Sequence, residues 1–280
     1  MLTIAHLTFH EALRRRALLA AFVLGVGFLL IFGLGYYFIF AEINAPSRLP
    51  PGPVGVSGRE FVLNFVVTAG LYAVNFLAVM MGALMPVDSI SGEIRSGTIQ
   101  TLVTKPLRRV EIVLGKWLGL WAILMVYLLF MAGGVLLIAY GLSGYTPPGI
   151  ANGVPLLMLE GTLLMTLSIA GGTRFSTLAN GVIVFGLYGL AFIGGWVEQA
   201  GATFGNTSAS NIGIIASLIV PSDALWRLAA HHMQPALMQQ IGVGPFSNAS
   251  VPSDMMVWWA LGYMVAILGW GVWQFEQRDL

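Results

Sequence analysis

Few side chains in this 280-residue sequence have the chemistry to bind a metal or transfer a proton. The chain has no cysteine, which excludes a thiolate zinc site, an iron–sulfur cluster and a disulfide scaffold. His231, His232 and Met233 are adjacent, and imidazole and thioether groups both suit copper. Neighbouring residues on a helix point about 100° apart, so the two imidazoles do not converge on one ion. We predict a polar turn here and no metal site.

Glu160 is the one acidic residue well inside an apolar run, about 9 Å from the end of that run at helical rise. Acidic groups inside a membrane are costly and point to function. Two interpretations stay open. Glu160 lines the translocation path or relays protons, or it hydrogen-bonds silently at a helix interface. Asn64 and Asn75 are weaker candidates for the same roles.

No catalytic motif accompanies these residues. Gly115-Lys116 is followed by Trp117 and is not preceded by a phosphate-binding loop, so the Walker pattern is absent. The sequence also lacks the HExxH metalloprotease motif and the GxSxG nucleophile elbow. We therefore predict that the chain is not an enzyme, that it has no catalytic residue and that it uses no cofactor.

The composition determines what kind of element positions these residues. Charged residues make up 9% of the chain and hydrophobic residues 57%, whereas typical soluble domains contain about 25% charged residues. So few charges cannot cover the surface of a soluble protein of this length. The apolar runs are continuous and do not alternate with polar residues, which excludes barrel strands. We predict an all-α integral membrane protein, because helices satisfy their backbone groups internally.

Six apolar runs are long enough to cross a hydrocarbon core, which takes about 20 helical residues. The predicted spans are Ala17–Ala41, Phe61–Val87, Trp117–Tyr140, Val154–Gly172, Phe175–Val197 and Met255–Phe275. Glycines and prolines between spans 3 and 4 break a longer charge-free stretch into a hairpin. Leu2, Ala5, Phe9 and Ala12 follow helical spacing, which predicts an amphipathic helix in the membrane interface. The run Ile212–Val220 is too short to cross and is predicted to be interfacial or partly re-entrant.

The positive charges predict the orientation of the spans. With a cytoplasmic amino terminus, ten of the 13 Lys and Arg residues lie in inner segments. Only Arg48, Arg59 and Arg227 then lie in outer segments. Cytoplasmic loops carry the excess of Lys and Arg in membrane proteins. Both termini are therefore predicted to be cytoplasmic, with the long segment Glu198–Asp254 outside.

The densest charge cluster is the predicted inner segment Asp88–Lys116, with eight of the 25 charged residues in 29 positions. Within it, Gly97 ends one helical turn and Thr98 caps the next. Ile99 and Leu102 then begin a short apolar stripe. A stiff helix held between two spans suits the docking of a motor protein. The alternative is a solvated positive loop that only fixes the topology.

Pro106 ends this short helix, because the residue before proline avoids the helical region. The pattern SGEIRSGT, followed by Leu102, Lys105-Pro106, Arg108-Arg109 and Gly115-Lys116, resembles the loop between spans 2 and 3 of ABC-2-type exporter permeases. Within them it is most similar to the branch with the membrane subunit of the nitrous oxide reductase maturation transporter. The whole chain is similar in layout, whereas the specific motif covers one segment.

The resemblance implies a permease domain over residues 1–280 with six transmembrane helices, an amino-terminal interfacial helix and a cytoplasmic coupling helix between spans 2 and 3. It implies a homodimer or close heterodimer of permeases, with an ATP-binding cassette ATPase subunit under each copy. By resemblance, the residues that couple the permease to the ATPase are Glu93, Gly97, Thr98, Leu102 and Pro106, and the apolar stripe adds Ile99.

These features predict the permease subunit of an ATP-binding cassette exporter in the inner membrane of a prokaryotic cell. Membrane lipid is an expected partner, an extracytoplasmic protein is a further candidate, and no nucleic acid is expected. Two alternatives stay open. One is an ion-coupled secondary transporter with Glu160 as proton carrier, and the other is a membrane assembly scaffold that presents the segment Glu198–Asp254.

Overall fold

The computed structural model describes residues 1–44, 57–97, 108–241 and 249–278. Within these ranges the regular structure is entirely helical. The helices are α1 (Leu2–Leu13), α2 (Arg16–Ile43), α3 (Gly58–Leu84), α4 (Ser91–Ser96), α5 (Arg109–Ser143), α6 (Ile150–Gly172), α7 (Thr177–Phe204), α8 (Thr207–Ile219), α9 (Ser222–His232), α10 (Ala236–Ile241) and α11 (Met255–Glu276).

Six of these helices, α2, α3, α5, α6, α7 and α11, are long and apolar enough to cross a membrane. The predicted all-α fold with six spans is confirmed. Two helices extend well beyond their apolar runs: α5 already begins at Arg109, as the helical pattern of Val110, Ile112 and Val113 predicts, and α7 continues to Phe204. The predicted spans ended at charged residues, Lys116 and Glu198. A helix passes through a charged residue when that residue has a partner, and both of these do.

Glycines form the break between α5 and α6. Gly144 ends α5 with φ 69° and Gly149 precedes α6 with φ 63°, a left-handed conformation that only glycine adopts without strain. The predicted hairpin of spans 3 and 4 is therefore present. Elsewhere, Ser57 and Ser176 accept a hydrogen bond from the third backbone amide that follows each of them, at the starts of α3 and α7.

The central helix of the bundle is α6. In its most apolar window 78% of the residues are buried, against 11% for α2 and for α11. Gly82 of α3 allows a close approach, because a methyl group there would lie 2.9 Å from the Gly161 carbonyl oxygen of α6. The two outer helices therefore present most of their surface to lipid or to another protein, whereas α6 carries the buried polar groups.

The bundle has two ends, which we name by what they carry. The termini end holds α1, α4 and the end of α11. There Arg278, which follows α11, donates a hydrogen bond to the carbonyl oxygen of Thr173, which follows α6 (2.6 Å). The loop end holds the turns between α5 and α6 and between α7 and α8. There the Tyr36 and Ser143 hydroxyls share a hydrogen bond of 2.7 Å.

Helices α8 and α9 form a bent pair at the loop end. Helix α8 returns along α7, where Gly201 and Gly213 let the backbones approach each other. The chain then bends by 105°, and α9 runs back until its last turn contacts Gly149 at the start of α6. Both ends of the pair thus lie at the loop end, which is the geometry of a re-entrant hairpin. Of the two alternatives for Ile212–Val220, this geometry favours the re-entrant one.

Helix α1 packs tightly on the first turns of α5. A methyl group at Gly115 would lie 2.7 Å from Ile4 Cβ, and one at Gly119 would lie 2.6 Å from the Ala5 carbonyl oxygen. This glycine pair therefore serves close helix packing. Its partner is the amphipathic amino-terminal helix and not another span. The position of α1 in the membrane interface stays a prediction.

Candidate functional site

The candidate coupling segment begins with α4, a helix of six residues at the termini end. It stops at Gly97, which has φ 73° and donates its amide to the Ile94 carbonyl oxygen at 3.3 Å. Gly97 therefore ends a helical turn, as predicted. Four further predicted coupling residues lie outside the described residues: Thr98, Ile99, Leu102 and Pro106.

Glu93 of α4 forms an ion pair with Lys116 of α5. The Lys116 ammonium also donates to the Ser89 carbonyl oxygen at 2.9 Å, and the two side chains are only 16% and 4% exposed. Lys116 lies two turns inside α5, on the helix that the pattern of Val110, Ile112 and Val113 predicts, but its burial and its ion pair were not predicted. A buried pair of this kind resists separation, since either charge alone would be left without a partner.

Further hydrogen bonds hold the start of α4 against α7. The Ser91 hydroxyl donates to the Val87 carbonyl oxygen at 2.7 Å and lies 2.8 Å from the Thr177 hydroxyl. Thr177 in turn donates to Asp88 at 2.9 Å. Helix α4 is thus fixed to α5 through Lys116 and to α7 through Thr177. A force applied just after Gly97 would reach two spans directly.

Arg109, at the first position of α5, holds the end of the last helix. Its guanidinium donates to the carbonyl oxygens of Phe275 (3.4 Å), Glu276 (2.9 Å) and Arg278 (2.7 Å). Carbonyl oxygens at a helix end have no partner within the helix, and a cation there is favourable. The position of Arg109 in a charged segment predicts a solvated side chain. That prediction was wrong, because the guanidinium is bonded to these carbonyl oxygens. Arg109 joins the end of the coupling segment to α11.

Glu160 lies deeper than its apolar run indicates. Helix α6 begins at Ile150, so Glu160 is about 15 Å along it. The side chain is 1% exposed and lies beside Asn75 of α3, with Asp223 of α9 within electrostatic range. Its Oε2 has no hydrogen-bond partner among the described residues. Glu160 therefore lies at the interface of α3 and α6 inside a single chain. Glu160 lines neither of two cavities at the termini end, of about 490 Å³ and about 390 Å³.

A buried ionic cluster at the loop end was not predicted. Arg227 of α9 donates to Glu198 of α7 at 2.8 Å and to Asp223 at 2.9 Å, and the three side chains are at most 10% exposed. Arg227 also donates to the Ser217 hydroxyl of α8 at 3.1 Å. The Ser250 hydroxyl donates a hydrogen bond to the second carboxylate oxygen of Glu198 at 2.6 Å. This arginine cluster ties α7, α8 and α9 together.

The sequence contains one signal for this cluster. Asp223 and Arg227 are four residues apart, the spacing at which charges meet on one helix face. Glu198, 29 positions from Arg227, gives no such signal. Because Lys116 and Arg227 are buried in ion pairs, we leave them out of the count of Lys and Arg residues that predicts the orientation. Nine such residues then remain in the predicted inner segments and two in the outer segments. The positive-inside rule therefore still predicts cytoplasmic termini.

Comparison with known protein families shows which family the chain belongs to. The model of the ABC-2 family transporter protein matches residues 2–280. The chain belongs to the ABC-2 transporter family. A search of the curated proteins found no match. Family membership makes the chain a multi-pass membrane protein and a membrane component of transport that is not itself catalytic.

In this ABC-2 family chain, the other candidate residues from the sequence, Asn64, His232 and Met233, contact neighbouring residues of the same chain. Asn64 donates to the Tyr145 hydroxyl at 3.0 Å and to the Met233 carbonyl oxygen at 3.1 Å, so it ties α3 to the loop end. Burial raises the pKa of Tyr145, in the turn before α6, to about 12, so it stays a neutral phenol at physiological pH. The Met233 side chain packs against Gly153, and His232 Nε2 lies 3.7 Å from Asp254 Oδ1.

Proposed function

We propose that this chain is the permease subunit of an ATP-binding cassette exporter. The family match supports a membrane subunit of such a transporter. In the proposed cycle, a separate ATPase subunit binds and hydrolyses ATP, and its closure moves the coupling segment. The permease then switches between inward and outward openings. Substrate passes between or across two permease copies.

The anchoring of α4 carries this proposal. Its buried ion pair from Glu93 to Lys116 and its hydrogen bonds to Thr177 make a stiff connection to α5 and α7. Arg109 extends that connection to α11. In this arrangement Ile99 and Leu102 contact the ATPase, while Glu93 acts inside the permease as the anchor. A merely solvated loop needs no such anchor.

The rest of the assembly follows from the resemblance. The proposed complex contains two permease copies, most simply identical, each a single domain over residues 1–280. It lies in a prokaryotic inner membrane with both termini cytoplasmic, so that the termini end faces the ATPases. The similarity of the segment from SGEIRSGT to Gly115-Lys116 supports the further proposal that the chain belongs to the branch of the nitrous oxide reductase maturation transporter. An extracytoplasmic protein would then dock at the loop end.

Glu160 remains a candidate for the translocation path, but its contacts support the other interpretation. It is buried within one chain beside Asn75 of the neighbouring helix, as a residue at a helix interface would be. A secondary transporter with Glu160 as proton carrier has no further support in these contacts. A scaffold without an ATPase stays the alternative to be tested.

The test of the function is purification together with an ATPase. Expressed with an ATP-binding cassette subunit, the affinity-tagged permease should retain that subunit through size-exclusion chromatography, and ATP hydrolysis should change when the permease is present. If the permease retains no ATP-binding subunit and changes the ATP hydrolysis of none, the exporter proposal is wrong and the scaffold alternative is preferred.

The orientation has its own test, which the absence of native cysteine makes clean. Cysteine substituted for Ser57 at the loop end should react in intact cells with an impermeant maleimide, and so should cysteine at Ser247. Ser96, exposed at the end of α4, should be protected in intact cells and react after permeabilisation. Labelling of Ser96 in intact cells would reverse the proposed topology.

A further inference from the structure

An apolar cleft opens between α2 and α3 at the termini end, with a volume of about 490 Å³. Its walls are alanine and leucine side chains of α2, leucine and methionine side chains of α3, and Tyr127 of α5. Arg15 and Asp88 line it at one end. The cleft is of the size of small-molecule sites, about 300–1,000 Å³.

A second, polar cavity of about 390 Å³ adjoins this cleft. It shares Arg15 and Asp88 with the cleft and is otherwise lined by residues of α4, including Glu93 and Arg95. The combined space is therefore apolar along the bundle and polar at the termini end. An amphiphile fits such a space, with its tail in the cleft and its polar group beside α4.

The length of the cleft suits an acyl chain of one leaflet. From Arg15 to Leu24 the cleft follows α2 for about 14 Å, which is half of a hydrocarbon core of about 30 Å. It thus spans one leaflet.

The charge at the mouth favours an anionic head group. Arg15 is the middle one of three consecutive arginines, Arg14–Arg16. It donates to Glu11 at 2.7 Å, and a guanidinium has further donors that suit phosphate. Two acids also line the polar cavity, and each has a cationic partner: Glu93 is paired with Lys116, and Asp88 lies 3.8 Å from Arg95. Basic residues next to a span attract anionic lipid.

We propose that this cleft binds one anionic phospholipid of the leaflet at the termini end. An acyl chain fills the apolar cleft between α2 and α3, and the phosphate binds Arg15. The bound lipid lies against α4 and so contacts the coupling segment. The binding is a property of the permease itself and is measured without an ATPase, so its failure and that of the exporter proposal are distinguishable.

The test measures lipid binding to the full chain. Purified permease is delipidated and titrated with phosphatidylglycerol or with phosphatidylcholine of the same acyl chains, and native mass spectrometry counts the bound lipids. We expect one phosphatidylglycerol to bind tightly and phosphatidylcholine about tenfold more weakly. Arg15→Gln should weaken the first phosphatidylglycerol about tenfold, because a charge-assisted hydrogen bond is lost. Arg16→Gln, with the same change of charge outside the cleft, should bind as the wild type does.

A second pair of variants tests the place of the acyl chain. Ala20→Trp fills the cleft and should abolish binding of the first lipid, whereas Val23→Trp, on the exposed face of α2, should not. If Ala20→Trp fails to fold by circular dichroism, the arginine pair decides. Equal effects of Arg15→Gln and Arg16→Gln would mean general attraction to a basic surface and overturn the proposal. Equal affinity for both lipids, or full binding by a folded Ala20→Trp variant, would overturn it too.

Discussion

Replacing Ile99 or Leu102 by aspartate is expected to release the ATPase subunit from the permease. Both residues belong to the apolar stripe that we propose as the docking surface. Aspartate would bury an unpaired carboxylate in that contact at a cost of several kcal/mol, and each 1.4 kcal/mol is about tenfold in affinity. The measurement is the amount of ATPase retained during purification, together with the response of its hydrolysis to the permease.

The control for this experiment has to carry the same charge elsewhere in the segment. At helical spacing Thr101 lies opposite the stripe of Ile99 and Leu102, so Thr101→Asp should retain the ATPase. Arg109→Gln is unsuitable as a neutral control, because Arg109 holds the end of α11. Aspartate variants that keep a fully active and responsive ATPase would show that this stripe does not dock, and the scaffold alternative would then be preferred.

Replacing Arg227 by methionine is expected to destabilise the permease severely. The substitution leaves the buried carboxylates of Glu198 and Asp223 without their common cation. Breaking a buried ion pair by removal of one partner costs about 3–5 kcal/mol. We expect a low yield in the membrane and a Tm in detergent lower by on the order of 10 °C. Because the arginine cluster ties α7, α8 and α9, protease sensitivity should rise first in the α8–α9 pair.

Two comparisons make this result specific to the cluster. Arg174 is exposed at the termini end, so Arg174→Met should change stability by no more than about 0.5 kcal/mol. Neutralising the partners as well, with Glu198→Gln and Asp223→Asn added to Arg227→Met, should recover much of the lost stability, since no buried charge is left. If Arg227→Met alone unfolds at the wild-type temperature, the cluster contributes nothing measurable and its assignment as a structural tie is wrong.

The two sets of ionic contacts act at opposite ends of the molecule. At the termini end, Glu93 and Lys116 join α4 to α5, where the proposed coupling segment begins. At the loop end, the arginine cluster holds the re-entrant pair against α7. Helix α7 takes part in both, through Thr177 and through Glu198. A displacement of α4 therefore has a direct path along α7 to the opposite end of the bundle.

The sequence alone determined the fold class and the six spans. Hydrophobicity is a property of each residue, and about 20 apolar residues in a row have only one stable arrangement in lipid, a helix that satisfies its own backbone. The break at Gly144 and Gly149 and the turn at Gly97 were predictable for a related local reason, because a left-handed residue is almost always glycine. The short motif in the segment Asp88–Lys116 pointed to the family that the whole chain matches.

Only the tertiary structure decided which charges pair and where the helices end. Lys116 and Glu93 are 23 positions apart and Arg109 and Glu276 are 167 apart, and no local pattern connects them. The apolar run of α7 stops at Glu198, but the helix continues to Phe204 because Glu198 is neutralised by Arg227 of another helix. Whether a charge in a membrane protein faces solvent or is buried depends on its partner, and the partner is brought close only by the packing of the helices.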